Sequence, residues 1–233
     1  LSIGGLIGFT SASKILVDGL KPAANSITVT GASTERIESD FAKWDIKVET
    51  TGNSQIDSYK KHKVSIEKTM TFLDRYDVNN NDYQSVALLP ASTSKEINKN
   101  PKTGEIISKK WVTTQWIEIE SNDVFNIDQT YRQMSELLGK GVLVRPSRPE
   151  FTYTKLATKR VDMLAKATKD AHTRAEAIVY QTGSELGSVR KVDTGVFQIT
   201  VPNSTRVSSW GSYDTSTINK DITAVMGVTF EVN

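Results

Sequence analysis

The sequence predicts an α+β protein with antiparallel sheets, helices packed on one face of them and an additional N-terminal hydrophobic helix. Several segments alternate apolar and polar residues with a period of two, as strands with one wet face do. The cleanest of them covers residues 222–232. One long segment, residues 155–187, instead repeats its apolar residues at the helical period of 3.6. Strand pairs joined by hairpins indicate antiparallel sheets. The predicted order of elements is β-β-α-β-β-α-β-α-β-β.

The chain begins with 13 residues that are apolar or small and carry no charge. A spanning helix needs about 20 apolar residues, so this segment alone is too short to cross a bilayer. Three interpretations stand: the outer part of a signal anchor, the tail of a signal peptide ending near Ala12 and Ser13, or a short buried helix. We favour an anchor remnant, with residues 1–25 as hydrophobic segment and linker. Its candidate membrane residues are Leu1, Ile3, Leu6, Ile7 and Phe9.

The next part of the chain predicts two strand pairs separated by a helix. Strands are expected at 27–30 and 42–48, and a helix at 54–76. The candidate core positions of that helix are Ile56, Tyr59, Val64, Ile66, Met70 and Leu73. Strands at 83–93 and 111–120 follow, and the polar residues between them, 94–110, predict a long exposed hairpin loop.

The remaining elements follow from the same two periods. A helix is expected at 124–138, and a strand at 141–153 is interrupted by Pro146 and Pro149, which suits an edge or bulged strand. Further strands are expected at 189–201 and 222–232. Between these two strands, residues 202–220 are rich in Ser and Thr and predict a second long loop.

The long helix at 155–187 has a mostly alanine apolar face and ends near Gly183 and Gly187. At 100° per residue, this face consists of Leu156, Ala157, Val161, Leu164, Ala167, Ala171, Ala175, Ile178 and Val179. Because alanine is small, the helix can lie very close to the surface that it covers, and the flanking strands make a sheet the favoured partner.

Charged residues on this helix predict both local pairs and a candidate interface. Asp162 precedes Lys166, and Asp170 precedes Arg174, at the i, i+4 spacing that stabilises an exposed helix face. Arg160 and Arg174 intrude on the apolar arc. Snorkelling of their aliphatic stems explains this placement, and the alternative is a salt bridge between lobes or between subunits.

Three aromatic residues are further interface candidates. Trp116 lies on the polar face of the strand at 111–120, where it is either half-buried under a loop or in contact with another subunit. Trp210 and Tyr213 lie in the polar loop at 202–220, beside a glycine. We expect these aromatic side chains to be exposed.

Composition narrows the classes of function. The 29 basic and 27 acidic residues give a net charge of +2, which argues against a nucleic-acid binder. The absence of cysteine excludes disulfides, thiolate metal sites and cysteine nucleophiles. His62 and His172 belong to no metal-spaced cluster and are interpreted as surface helix residues. No nucleophile elbow, P-loop or dinucleotide motif is present. We therefore predict no enzyme, no cofactor and no metal.

Three stretches resemble the SIMPL-domain family of bacterial envelope proteins. ITVTGASTERIESDFAKWDIKVETTG at 27–52 looks like the family's opening strands, and DITAVMGVTFEV at 221–232 looks like its terminal strand. AKATKDAHTRAEAIVYQTGSELGSVRKV at 165–192 resembles its most characteristic stretch. The matching positions there are Ala167, Ala171, Ala175, Gly183, Leu186, Gly187 and Val189.

The resemblance implies a periplasmic or membrane-anchored bacterial protein of α+β fold without an established enzymatic activity. It also implies assembly into large homo-oligomers and a link to oxidative-stress tolerance. Residues 26–233 would form the SIMPL-like domain, as one compact unit or two interlocked lobes. We predict a non-enzymatic envelope protein whose partners are its own copies and, through the N-terminal segment, the membrane. The alternative is a binding or adaptor module that presents loops 94–110 and 202–220 to an envelope partner.

Overall fold

The computed structural model describes residues 25–78, 84–205, 208 and 210–233. Within them the chain forms eleven strands and four helices. The strands are β1 (Ser26–Glu38), β2 (Phe41–Gly52), β3 (Gln84–Leu88), β4 (Ser92–Lys99), β5 (Ile106–Ser121), β6 (Leu143–Pro146), β7 (Glu150–Thr152), β8 (Leu186–Thr194), β9 (Gln198–Thr200), β10 (Ser212–Tyr213) and β11 (Asn219–Val232). The helices are α1 (Gln55–Arg75), α2 (Val124–Gln133), α3 (Ser135–Gly139) and α4 (Leu156–Gln181).

The strands form two sheets, and the protein is of the α+β class. The first sheet has the order β1-β11-β9-β10, and β8 also pairs with β11. The second has the order β3-β5-β2-β6, with β4 paired to β5 and β7 paired to β2. The expectation of antiparallel sheets is wrong at one place, because β10 runs parallel to β9. A chain segment of eleven residues separates these two strands, close to the dozen or so residues of a usual parallel return and far longer than a hairpin turn.

The described residues divide into two compact units. The first unit consists of residues 25–34, 157–197 and 223–233, and the second of residues 35–156 and 198–222. Each unit therefore contains segments that lie far apart in the sequence. We call them the first and the second unit and describe each by itself.

The core of the first unit is built on small residues. The buried residues of α4 are Met163, Ala167, Ala171, Ala175 and Val179. A Cβ atom added at Gly31 of β1 would lie 2.1 Å from the Ala167 carbonyl oxygen and 2.4 Å from the Ala171 amide nitrogen. Because real Cβ atoms do not approach backbone so closely, only glycine fits here. The predicted close approach of the alanine helix to a sheet is confirmed.

The core of the second unit uses large side chains. Trp44, Ile46 and Val48 of β2 are buried together with Ile117 and Ile119 of β5. Helices α1, α2 and α3 add Phe72, Leu73, Ile127 and Leu137 to the same cluster. The alternation along β2 and β5 explains this arrangement, since their even and odd positions face opposite sides of the sheet.

The sequence predicts the buried face of helix α1 in part, since Ile66 and Leu73 are buried and Met70 packs against the core. Ser54 caps its N-terminus by accepting a hydrogen bond from the Asp57 amide, as expected for a helix that starts there. Ile56, Tyr59 and Val64, however, are exposed. The buried residues are Ser58, His62, Ser65, Ile66, Thr69, Phe72 and Leu73. Hydroxyl groups on this face bond to the sheet, which offsets the cost of burying them.

Several predicted elements differ in their extent: β1 is longer than the strand expected at 27–30, the strand expected at 83–93 is divided into β3 and β4, and α4 ends at Gln181. Residues 94–110 are mostly strand, because β4 and β5 continue as a paired hairpin. The helix at 124–138 is divided at Met134 into α2 and α3. The strand at 141–153 becomes β6 and β7, separated near Pro149, which has no amide hydrogen for a ladder. The strand at 189–201 likewise becomes β8 and β9.

Candidate functional site

The second unit contains a pocket beside His62. It has a volume of about 280 Å³, close to the lower end of small-molecule sites. Its walls come from one side of α1, from the β3–β4 connection and from β5. The lining residues are Tyr59, His62, Lys63, Ile66, Glu67, Leu88, Ala91 and Gln115. Apolar and charged groups thus surround a polar floor.

The floor of the pocket is a hydrogen-bonded chain centred on His62. The Gln115 amide nitrogen donates to the Leu89 carbonyl at 2.6 Å, which leaves the amide oxygen as an acceptor. His62 Nε2 lies 3.0 Å from that oxygen and therefore carries the hydrogen. His62 Nδ1 lies 3.3 Å from the Thr50 hydroxyl. Both ring nitrogens thus have protein partners, and His62 orders the floor of the pocket.

The interpretation of His62 as a surface residue is wrong. The side chain is buried, and burial lowers its pKa, with the Gln115 hydrogen bond opposing that change. The neutral imidazole is therefore the form that the fold favours. Neighbouring hydroxyls extend the network, since the Ser58 Oγ lies 2.7 Å from the Thr113 hydroxyl. His172 is exposed, as expected, and lies 3.4 Å from the Glu176 carboxylate.

A buried ion pair forms the second polar centre of this unit. The Lys220 side chain is inaccessible to solvent, and its Nζ lies 3.3 Å from Asp214 Oδ2. The Lys220 ammonium also donates to the Thr217 carbonyl. Asp214 accepts hydrogen bonds from the Ser216 amide at 3.0 Å and from the Ser216 hydroxyl at 2.7 Å. The carboxylate therefore fastens residues 214–220 into a fixed turn.

The surroundings of this pair set its protonation. Burial works against ionisation of Asp214, but hydrogen bonds from Thr217 and Ser216 and the charge of Lys220 outweigh it. Together they lower the pKa of Asp214 to about 2. Burial lowers the pKa of Lys220, which the Asp214 carboxylate opposes. Since Lys220 lies at the start of β11, where alternate residues are buried, the parity of this strand was a signal for its burial.

The aromatic interface candidates lie in different parts of the second unit. Trp116 is 43% exposed on β5 and is paired in register with Lys47 of β2. Trp210 is 95% exposed. Tyr213, which lies in β10, is about half as exposed. Trp116 is not on the segment that carries the other two. Their exposure matches the expectation, and their role as contacts stays a prediction.

The two arginine candidates both lie on α4 in the first unit. The Arg160 guanidinium is 5.6 Å from the centre of the Phe197 ring, a cation–π distance. Arg174 forms an ion pair with Asp170 at 2.9 Å. The second predicted pair, Asp162 with Lys166, is present at 2.8 Å. Partners within α4 and Phe197 thus account for both arginines, and an intersubunit role stays a prediction.

The membrane-segment candidates Leu1, Ile3, Leu6, Ile7 and Phe9 lie outside the described residues. Among the residues that the structure describes, no helix is both long and apolar enough to cross a membrane. The same residues contain no group of three or more His, Asp or Glu side chains placed to hold a metal ion.

Sequence reasoning missed the two polar centres for different reasons. Lys220 could have been found from the alternation of β11. His62 could not, because its burial depends on a hydroxyl-rich helix face that resembles an exposed one in its composition. The apolar pattern of α1 therefore identifies Ile66 and Leu73 as buried but misses the polar part of the buried face.

Comparison with known proteins identifies the family. No curated protein matches the chain. One solved structure, of a protein assigned as an aminohydrolase from methicillin resistant Staphylococcus aureus, aligns with 56% of this chain at 11% identity. Its TM-score is 0.27, which does not indicate a shared fold, and the alignment covers 32% of that protein. The SIMPL profile, described as "Protein of unknown function (DUF541)", matches residues 27–230, most of the chain. The chain therefore belongs to the SIMPL family.

Proposed function

We propose that this protein is a non-enzymatic component of the bacterial cell envelope that assembles into a homo-oligomer through the edge of β8. The observation that carries the proposal is an exposed edge strand in the first unit. Every residue from Ser188 to Thr194 is exposed. Such a strand presents unpaired backbone groups that can bond to a strand of another copy.

The backbone of β8 has one occupied and one open edge. It pairs antiparallel with β11, from Met226 opposite Thr194 to Val232 opposite Leu186. Among the residues described, no other strand pairs with β8. Its nine residues correspond to roughly 30 Å of extended backbone at the usual rise of a strand. This length suffices for a ladder with a second copy.

Two valines of β8 offer apolar contact area beside its charged side chains. Val189 lies opposite Phe230 and Val192 lies opposite Val228, yet both valines are about half exposed. Two ion pairs satisfy charged groups nearby, Arg190 with Glu231 at 3.1 Å and Lys191 with Asp193 at 2.7 Å. The two valines thus form an apolar strip beside the open edge, which another copy would cover.

An envelope location, attachment to the membrane through residues 1–25 and a link to oxidative-stress tolerance accompany this proposal. They rest on the family resemblance and on the apolar start of the chain, and they stay predictions. The same holds for the absence of an enzymatic activity, for which the fully partnered His62 gives the clearest support. Copies of the chain and the membrane are the proposed partners, and nucleic acid is not among them.

An adaptor function is the second candidate, and the exposed hairpin at 94–110 supports it. In that case the chain would be a monomer that presents this hairpin and residues 202–220 to a different envelope protein. The two candidates differ in the mass of the purified protein, because only self-assembly gives a multiple of the 25.8 kDa chain.

Multi-angle light scattering of the detergent-solubilised full chain tests the assembly. We expect a large oligomer in the wild type and a smaller mass in a Val189→Lys, Val192→Lys variant, because two lysines on the strip repel the facing copy. Val161→Lys is the matched control, since Val161 is 70% exposed on α4 of the same unit. A wild-type monomer at micromolar concentration would overturn the proposal, and an unchanged mass in the double variant would exclude this edge.

Trp210 provides a second test of the assembly. In a monomer, Trp210 is nearly completely exposed, and the hydration of its apolar ring is unfavourable. A contact with another copy would remove this unfavourable contribution. We expect Trp210→Ser to lower the oligomer mass without changing the unfolding midpoint in urea. An unchanged mass would show that this residue lies outside the contact.

A further inference from the structure

The tip of the β4–β5 hairpin projects beyond the other strands of the second sheet. Strand β2 ends its pairing with β5 at Gly52, which lies opposite Trp111. Residues 106–110 then pair with β4 alone. The turn at the tip is fixed by a hydrogen bond of 2.8 Å from the Gly104 amide to the Asn100 carbonyl and by a second of 2.8 Å from the Asn100 amide to the Glu105 carbonyl. The hairpin is thus an ordered projection.

The register gives this hairpin one apolar and basic face. Lys95 lies opposite Trp111, Ile97 opposite Lys109, and Lys99 opposite Ile106. Directly opposed residues and residues two apart on a strand share a face. The six residues therefore lie on one side, which we call the basic face. A register shift between Asn98 and Lys99 brings Ile106 to this side, because without it Ile106 would face the other way.

The charge of the chain is concentrated in the same hairpin. Residues 95–110 contain five lysines and two glutamates, a net charge of +3 against +2 for the whole chain. Glu96 is on the opposite side, where it lies 3.1 Å from the ammonium of Lys110. Glu105 lies at the tip, where it accepts a hydrogen bond from the Thr103 hydroxyl at 3.2 Å. The basic face itself contains no acidic residue.

We propose that the basic face of the hairpin docks on an anionic phospholipid surface. Ile97 and Ile106 are each about half exposed between the lysines, a combination that an anionic lipid surface fits, since its headgroups take the ammonium groups and its acyl boundary takes the apolar side chains. A single-stranded nucleic acid would need open aromatic faces for stacking. Trp111 is the aromatic residue of this face, and Lys95 Nζ lies 5.8 Å from the centre of its ring.

This contact is separate from the self-assembly through β8 and from the N-terminal segment. The hairpin belongs to the second unit and β8 to the first. An apolar segment partitions into neutral and anionic bilayers alike, whereas three lysines respond to the surface charge and to salt. The ratio of binding to anionic and to neutral vesicles therefore isolates the hairpin.

A fluorescent label placed by a single cysteine tests the contact, because the chain has no cysteine of its own. Ile107→Cys places an environment-sensitive dye beside the basic face, and Val161→Cys places it on exposed α4 as the control. Vesicles of phosphatidylcholine with phosphatidylglycerol should shift the emission of the first label to the blue, and phosphatidylcholine alone should not. Equal responses to both vesicles, or no response, would overturn the proposal.

Charge variants of the full chain complete the experiment. Lys99→Gln with Lys109→Gln should reduce the anionic-to-neutral binding ratio by about 25-fold, since each lysine near the surface contributes about 1 kcal/mol. The control, Lys60→Gln with Lys63→Gln, changes the net charge by the same amount at two exposed residues of α1. It should leave the ratio within about twofold of the wild type. A loss of the same size in the control pair would show that net charge, and not this face, attracts the vesicles. Both outcomes are independent of the oligomer mass.

Discussion

The two units place a helix on a sheet in opposite ways. In the first unit, α4 approaches β1 so closely that Gly31 has no room for a Cβ atom. In the second unit, α1 meets the sheet through Ser58 and His62, whose side chains bond to β2 and β5. The first arrangement gains dispersion contacts between backbones, and the second gains hydrogen bonds around a cavity. The close packing of α4 on β1 fixes the fold of the first unit. The polar packing of α1 leaves a cavity that a ligand can occupy.

The largest expected effect tests the close packing of the first unit. Gly31→Ala places a Cβ 2.1 Å from the Ala167 carbonyl oxygen, and backbone cannot give way as a flexible side chain does. We expect a loss of about 3 kcal/mol of unfolding free energy. Gly139→Ala is the control, because nothing lies within 4 Å of its added Cβ. Urea unfolding gives the free energies, and hydrogen exchange should show lost protection in α4. Unchanged exchange in α4 would contradict the close approach.

The next effect concerns the buried ion pair of the second unit. Lys220→Met removes the cation and leaves the Asp214 carboxylate buried, which should cost about 3 kcal/mol. The added change Asp214→Asn should restore part of this loss, because no charge then stays buried. Lys63→Met, at an exposed lysine of the same unit, should change the stability by less than about 0.5 kcal/mol. A double variant as unstable as Lys220→Met would show that packing, not charge, is responsible.

The same carboxylate predicts a dependence on acid. Its pKa of about 2 in the fold is lower than the value of about 3.9 in an unfolded chain. The unfolded state therefore binds the proton first as the pH falls. The contribution of Asp214 is fully present above pH ~4 and is lost towards pH ~2, by about 2 kcal/mol. In Asp214→Asn this part of the acid loss should be absent, as urea unfolding at pH 5 and at pH 2.5 would show.

The fold class follows from the sequence because it depends on periodic apolar residues, whereas the family is expected from three stretches that resemble it. The alternation of β11 and the alanine stripe of α4 are local patterns, and the structure shows both. The exposed Val161 and Ile178 were expected on the same stripe, but they lie outside the part of α4 that is covered. Ile178 lies between the buried Ala175 and Val179, so local periodicity does not show how wide a strip of the helix surface is covered.

The polar core of the second unit depends on contacts between distant residues. His62 is buried because Thr50, Gln115 and the hydroxyls of Ser58 and Thr113 come together from α1, β2 and β5. Each of these residues alone suits an exposed position. Similarly, the place of Ile106 on the basic face depends on a register shift between two strands, which composition does not reveal. Candidate sites of this kind need the structure.

The smallest expected effect is a dependence of the stability of the second unit on pH near neutrality. Burial lowers the pKa of His62 in the fold, so the unfolded chain binds the proton more readily as the pH falls below about 6.5. Stability of the second unit should therefore decrease between pH 7.5 and 5.5. His62→Gln should cost about 1–2 kcal/mol at pH 7.5, because the partners of the ring lose their hydrogen bonds, and it should remove this slope.

Hydrogen exchange can show which unit has this dependence of stability on pH. In the wild type, we expect the protection of the α1 amides from exchange to decrease as the pH is lowered from 7.5 to 5.5. In His62→Gln this protection should not depend on pH. His172→Gln, which changes the exposed histidine of the first unit, is the matched control and should keep the wild-type slope in α1. A slope that survives in His62→Gln would mean that another group titrates in the second unit. In that case the polar floor of the pocket would not be the feature that makes this unit sensitive to pH.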